Sequence, residues 1–306
     1  MALPLAVVYS PGYRLDLGAH VFPGDKYERA AALLRPRAGV RWEEPRPATR
    51  EELELVHHAD WVERLLACRL RPAELVRLEV PWTPAIRDAV LLHVGGSVRA
   101  AEILAADGAP VAANLGGGFH HAFAGHGEGF CALNDIAVGI RCWQRRRAAQ
   151  GRETQALVVD CDVHQGNGTA ALFRGDAAVF TLSLHQADNY PALKQASDLD
   201  VNLEDGVGDD EYLAALAAAL REAFARCRPA LLWYVAGADP YREDQLGGLA
   251  LSREGLRRRD DLVFAAARDR ELAVAVTLAG GYARRVEDTA AIHAATIEAA
   301  EAACAS

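Results

Sequence analysis

ALVVDCDVHQGNG, residues 156–168, places an apolar run from Ala156 to Val159 directly before Asp160, Asp162 and His164. A strand that is apolar at every position has both faces covered, the condition of a central strand in a parallel sheet packed between helices. The same signature recurs at 5–9, 111–114, 179–183, 231–236 and 273–278. Helical patterns over 84–106, 134–149, 209–227, 253–268 and 286–303 alternate with these runs, and Asp209 and Asp210 open the third where a helix N-terminus favours negative charge. No linker or low-complexity tract divides the chain. The expectation is one α/β domain over 1–306, a mainly parallel sheet with helices on both faces.

Composition excludes several classes. With 51% hydrophobic and 25% charged residues, the 306-residue chain is globular in character. A net charge of -9 lacks the basic footprint of a nucleic-acid binder. The longest apolar stretch, 230–238, is far shorter than the roughly 20 residues a membrane helix needs. The apolar start at 2–8 has no positive leader and runs into Tyr9, Ser10 and Pro11, so it reads as a strand entering a turn. Six scattered cysteines without a CxxC pair point to a reducing compartment, and the cytoplasm is the expected location. Only Lys26 and Lys194 are lysines among 33 basic residues, which reads as compositional bias.

The residues just past the strand ends carry the chemistry. The run at 111–114 leads into Gly116, Gly117, Gly118, His120 and His121; 179–183 into His185; 231–236 into Asp239; 273–278 into Gly280, Gly281 and Tyr282. Ligands of open parallel sheets bind at the carboxyl ends of strands, so these groups converge on one crevice. In Asp160-Cys161-Asp162-Val163-His164 the polar residues alternate, and an extended backbone would turn all three the same way. That is metal-ligand spacing, and Asp239, at the end of another strand, could supply a third ligand while leaving a fourth position open. A solvated strand end is the competing reading of the motif alone.

Adjacent histidines behind three glycines suit acid/base work near neutral pH, with Asp160 and Asn167 as candidate partners for their rings. The glycines lack both GxGxxG spacing and a Walker lysine, which argues against a nucleotide site. His57 and His58 fall in an amphipathic helical stretch and read as structural; His20, His93, His126 and His293 support no special claim.

Taken together these blocks resemble the zinc-dependent histone deacetylase family. The resemblance rests on GGGFHHA at 116–122, GFC at 129–131 with NDIA at 134–137, DCDVHQGNG at 160–168, TLSLH at 181–185, AGADP at 236–240 with Asp244, Leu246, Gly247, Leu251 and Ser252, and GGY at 280–282. It spans nearly the whole chain in order. Gln165 and Asn167, where many members have His and Asp, make it look closer to the class IV branch and its bacterial relatives, as do Tyr190-Pro191 and SDLDV at 197–201.

The resemblance implies an arginase/deacetylase-type fold and zinc on Asp162, His164 and Asp239, with Fe²⁺ as the alternative ion in the cell. It pairs His120 with Asp160 and His121 with Asn167. His121 would take a proton from water activated beside the zinc, Tyr282 would stabilise the oxyanion, and Phe130, Gly129 and Tyr190 would line the tube around the acylated lysine. A structural potassium site maps onto Asp160, Asp162, His164, Ser183 and Leu184. The implied substrate is an acylated lysine of a protein or peptide. An acylated small amine such as an acetylpolyamine is the runner-up, since the chain is acidic, and a silent acyl-lysine-binding module ranks last. The arginase relatives would need two manganese ions and further carboxylates, and Asn167 stands where one of these would help.

Overall fold

The computed structural model describes residues 5–106 and 109–305, the last without its side chain. Eight strands form one all-parallel sheet: β1 Leu5–Val8, β2 Val40–Glu43, β3 Val111–Asn114, β4 Ala156–Asp160, β5 Val179–Gln186, β6 Leu199–Leu203, β7 Leu231–Val235 and β8 Ala273–Thr277. Their order across the sheet is β2-β1-β3-β8-β7-β4-β5-β6. The expected parallel α/β architecture is therefore the one observed.

Successive residues of the central strands enter different cores, as alternation in a strand requires. Val7, Ala113, Val159, Tyr234 and Val276 belong to one buried cluster, and Val8, Ala112, Val158, Trp233 and Ala275 to the other. The helices α1 Lys26–Leu34, α5 Pro84–Ala105, α6 Asp135–Ala149, α8 Asp209–Arg226, α9 Arg253–Arg268 and α10 Val286–Ala305 cover the sheet. Several starts are capped by side chains: Thr83 accepts from the Ile86 N–H, Asn134 from Ala137 and Ser252 from Gly255. Gly139 lets α6 lie close to the sheet, because a Cβ there would come 2.1 Å from Trp233 Cη2. Filling that contact costs about 1–3 kcal/mol in a packed core.

Two strands escape the apolar-run criterion. The edge strands β2 (VRWE) and β6 (LDVNL) are largely half-exposed, so their polar residues hide the strand pattern. The short helices α2 Arg50–Leu53, α3 Ala59–Leu66, α4 Pro72–Leu78 and α7 Asn167–Phe173 are too short to show a clear helical signature of their own. His57 and His58 require a correction: they sit in the turn between α2 and α3, not on a helix. The helical spacing there comes from two short helices separated by a tight turn.

Candidate active site

The chain leaves β4 at Asp160 and turns. Asp162 N–H donates to Asp160 Oδ1 (3.1 Å) and His164 N–H to Asp162 Oδ1 (3.0 Å), so extended alternation ends at the strand terminus. The expected common direction of Asp160, Asp162 and His164 is thereby corrected, because Asp160 turns instead to His120. Asp162 and His164 meet Asp239, which follows β7. The three buried side chains offer ligand atoms within 4.8 Å of one another.

Backbone amides hold this triad, one from the loop after β4 that carries Asp162 and His164 and one from the loop after β8. Val163 N–H donates to Asp239 Oδ1 at 2.9 Å and Gly280 N–H to Asp162 Oδ2 at 2.8 Å. A Cβ at Gly280 would lie 2.0 Å from Asp239 Oδ2, and one at Gly237 2.5 Å from Asp162 Oδ2, so only glycine permits this approach. Among the described residues Asp239 Oδ2 is buried and has no hydrogen-bond partner, with His164 Nδ1 in ion-pair range at 3.3 Å. Burial, then the neighbouring Asp162, raises the Asp239 carboxyl to about 7. Two crowded carboxylates with one oxygen unsatisfied, beside an imidazole, fit a divalent cation.

The histidine pair is fixed from behind. Gly117 and Gly118 adopt positive φ (67° and 81°), and the Asp135 carboxylate accepts the N–H groups of Gly118 (3.1 Å) and Phe119 (2.7 Å). His120 Nδ1 lies 2.8 Å from Asp160 Oδ2, His121 Nδ1 2.9 Å from Asn167 Oδ1, and the two Nε2 atoms are 3.1 Å apart. Burial opposes charge on His120, but Asp160 and Asp162 outweigh it and lift its pKa to about 9. Burial, followed by the charges of His120 and His164, drives His121 well below its ordinary value. One imidazole of the pair is therefore held cationic and the other neutral.

Tyr282 lies across the site, its ring 6.4 Å from that of His164 and 6.0 Å from that of Phe130. Burial, then Asp162 and Asp239, raises its phenol well above 10, so it remains a hydrogen-bond donor. A pocket of about 160 Å³ opens onto these groups, lined by Gly129, Phe130, Tyr190 and Leu246, with Glu79 and Asn189 also in its wall. Gly129 and Phe130 both have positive φ (52° and 67°), which turns the chain sharply at the pocket wall. Ser183 is paired in register with Asp160, with buried Leu184 next along β5.

Sequence reasoning names Asp135 and Asp244 only as parts of the resembling blocks and gives neither a role, yet these carboxylates organise the loops. Asp244 accepts from the N–H groups of Leu246, Gly247 and Tyr282, the last at 2.6 Å, and Asp135 holds the histidine turn. Their partners are backbone amides, which leave no residue-type signature. Lys26, which the composition presents as mere bias, is fully buried beneath the tyrosine loop. His57 is pinned between Phe123 O and the Asn134 N–H, each at 3.0 Å.

A parallel α/β sheet whose strand ends assemble a buried acid–imidazole triad able to hold a metal ion, paired histidines and a phenol has the makings of a hydrolase site. The histone deacetylase domain matches residues 20–299, and the chain belongs to the histone deacetylase family. It is 40% identical over 286 residues to an uncharacterised protein of Picosynechococcus sp., covering 92% of this chain and 93% of that protein. It is also 30% identical to histone deacetylase 2 of Arabidopsis thaliana, covering 91% and 74% of the two chains, and 33% identical to the acetoin utilization protein AcuC of Bacillus subtilis, covering 67% and 57%. The solved HD domain of HDA15 superposes with a TM-score of 0.79 at 24% identity, over 96% of this chain and 90% of that one, and so shares the fold. Among the described residues no helix is long and apolar enough to cross a membrane.

Proposed function

We propose that this chain is a zinc-dependent amidohydrolase that removes acetyl or other acyl groups from the ε-amine of lysine in proteins or peptides. The observation that carries the reading is the convergence of a neutral, buried His121, the triad Asp162–His164–Asp239 and the Tyr282 phenol at one narrow pocket. A divalent ion held by that triad supplies Lewis acidity toward water and the acyl carbonyl. His121, its Nδ1 engaged by Asn167, takes the proton of the attacking water at Nε2 and returns it to the leaving amine. The Tyr282 O–H donates to the oxyanion that develops on the carbonyl oxygen, and the His120 cation backed by Asp160 adds positive charge beside it. Phe130, Gly129 and Tyr190 surround the aliphatic stem.

The remaining expectations stand with this reading: a single catalytic domain over 1–306, class IV affinity, a cytoplasmic site of action, and Fe²⁺ as an alternative ion. A structural potassium ion among Asp160, Asp162, His164, Ser183 and Leu184 draws support from the Asp160–Ser183 register. A second reading, hydrolysis of an acylated polyamine, is favoured by Glu79 in the pocket wall, where a carboxylate meets a cationic small substrate. The test is turnover of acyl-lysine peptides and acetylated polyamines by zinc-loaded protein, with a chelator control. Chelator-sensitive release from peptides is expected. Activity confined to polyamines moves the assignment to the second reading, and silence on both classes overturns hydrolysis.

A further inference from the structure

The partner of His121 is an amide, and an amide can face a ring nitrogen with either end. Asn167 Oδ1 accepts from the Gly168 N–H (3.0 Å) and lies 2.9 Å from His121 Nδ1, while Nδ2 donates to Glu128 Oε1 at 2.6 Å. Glu128 is half-buried beside the pocket wall, accepts from Tyr190 O–H at 3.4 Å and has His126 Nε2 3.4 Å from its other oxygen. Nothing in the hydrolytic reading uses it.

We infer that Glu128 is a positioning residue that fixes the proton of His121 on Nδ1 by locking the orientation of the Asn167 amide. An ionised carboxylate only accepts hydrogen bonds, so only the NH₂ end of Asn167 can face it. The carbonyl end must then face His121, whose Nδ1 has to carry the proton, and the lone pair is left on Nε2. A reversed amide would set N–H groups against the proton on Nδ1, opposing the tautomer that His120, whose Nε2 lies 3.1 Å from His121 Nε2, favours from the other side of the ring. The Gly168 amide acts in the same sense from the other end, but it lies on the backbone and contributes no side-chain choice. Family members with an aspartate beside this histidine face no such ambiguity, since a carboxylate has no donor end. Asn167 creates the requirement, and Glu128 meets it from 39 residues away. The same carboxylate touches Tyr190, whose ring packs edge-on against His121 at 4.9 Å, so the orientation of the base is tied to the wall of the pocket.

The inference rests on the proposed deacylase reading only for its activity readout. Zinc-loaded protein carrying ¹⁵N-labelled histidine reports the His121 tautomer directly by NMR, and Glu128→Gln preserves shape while offering either a donor or an acceptor to Asn167. Wild type is expected to show only the Nδ1–H form, and Glu128→Gln a mixture with Nε2–H, with kcat lowered about tenfold at unchanged KM, within the range for loss of a supporting partner. In an Asn167→Asp background two carboxylates face each other, so Glu128→Gln should raise kcat there instead of lowering it. An unchanged tautomer and kcat in Glu128→Gln, or the same loss in both backgrounds, overturns the positioning role. If no acylated substrate is turned over by wild type but the tautomer still shifts, the deacylase reading falls and the role of Glu128 stands.

Discussion

Lys26 Nζ donates to the carbonyl of Ala279 at 2.8 Å, joining the first helix to the loop that presents Tyr282 across 253 residues of sequence. The ammonium also lies 4.5 Å from the Phe22 ring centroid and 5.2 Å from that of Tyr282. Ala279 sits at φ 51°, a conformation that an alanine holds only when its surroundings enforce it. Lys26→Met keeps the apolar stem and removes the tether, although Tyr27 O–H still reaches the same carbonyl at 3.0 Å. The expected result is a kcat lowered by about tenfold through misplacement of the phenol, with metal content unchanged. Steady-state kinetics beside elemental analysis decides it; a wild-type kcat would show the tether to be dispensable.

Tyr282→Phe separates binding from chemistry. The phenol is buried and kept protonated, and its hydroxyl is the donor assigned to the developing oxyanion. Loss of one such donor costs on the order of 10²–10³ in kcat. Metal retention and KM should stay near wild type, because the ring remains packed against Phe130 and Phe22. Equal turnover by the two proteins would remove Tyr282 from the reaction.

How much of the fold and site is legible in the sequence depends on what each group bonds to. Central strands announce themselves because both faces are buried, whereas the exposed edges β2 and β6 carry polar residues that break the same rule. His120, His121, Asp162, His164, Asp239 and Tyr282 can be gathered because each follows a strand end. Alternation in 160–164 suggests a common direction that the fold does not keep, since side-chain bonds from Asp160 and Asp162 turn the backbone there. The roles of Asp135, Asp244, Glu128 and Lys26 stay hidden because each acts on a group distant in sequence: Asp244, for example, binds the Tyr282 amide 38 residues away. No local pattern encodes such a pairing.

Gly129→Ala should disable the site while leaving the fold in place. Its φ of 52° is strained for any residue with a Cβ, at about 1–2 kcal/mol. A Cβ there would also come 2.8 Å from Tyr190 Cε1 and 2.9 Å from His121 Cδ2, forcing the pocket wall away from the base. A displacement of roughly 1 Å at a reacting group costs on the order of a hundredfold. The expectation is that loss in kcat/KM, with a cooperative melt retained. Near-wild-type kinetics would mean that both rings can yield freely.

His57 supplies a pH dependence away from the catalytic groups. Burial, only partly offset by hydrogen bonding to Phe123, lowers its pKa to about 4 from an ordinary 6.5, so the folded state resists a proton that the unfolded chain takes up. Its contribution is complete above pH 6.5 and is lost as pH falls toward 4, amounting to about 2 kcal/mol by pH 5 and about 3 kcal/mol over the whole window. His57→Gln offers a carbonyl to the Asn134 N–H and an N–H to Phe123 O without a titrating ring. His93 and His185, lowered by burial to about 3 and about 4, act in the same direction in both proteins and cancel in the comparison. Urea unfolding at pH 7.5 and pH 5 should therefore show wild type losing about 2 kcal/mol more than the variant. Parallel losses would mean that His57 titrates alike in the folded and unfolded chains, and that its two hydrogen bonds do not hold the ring neutral.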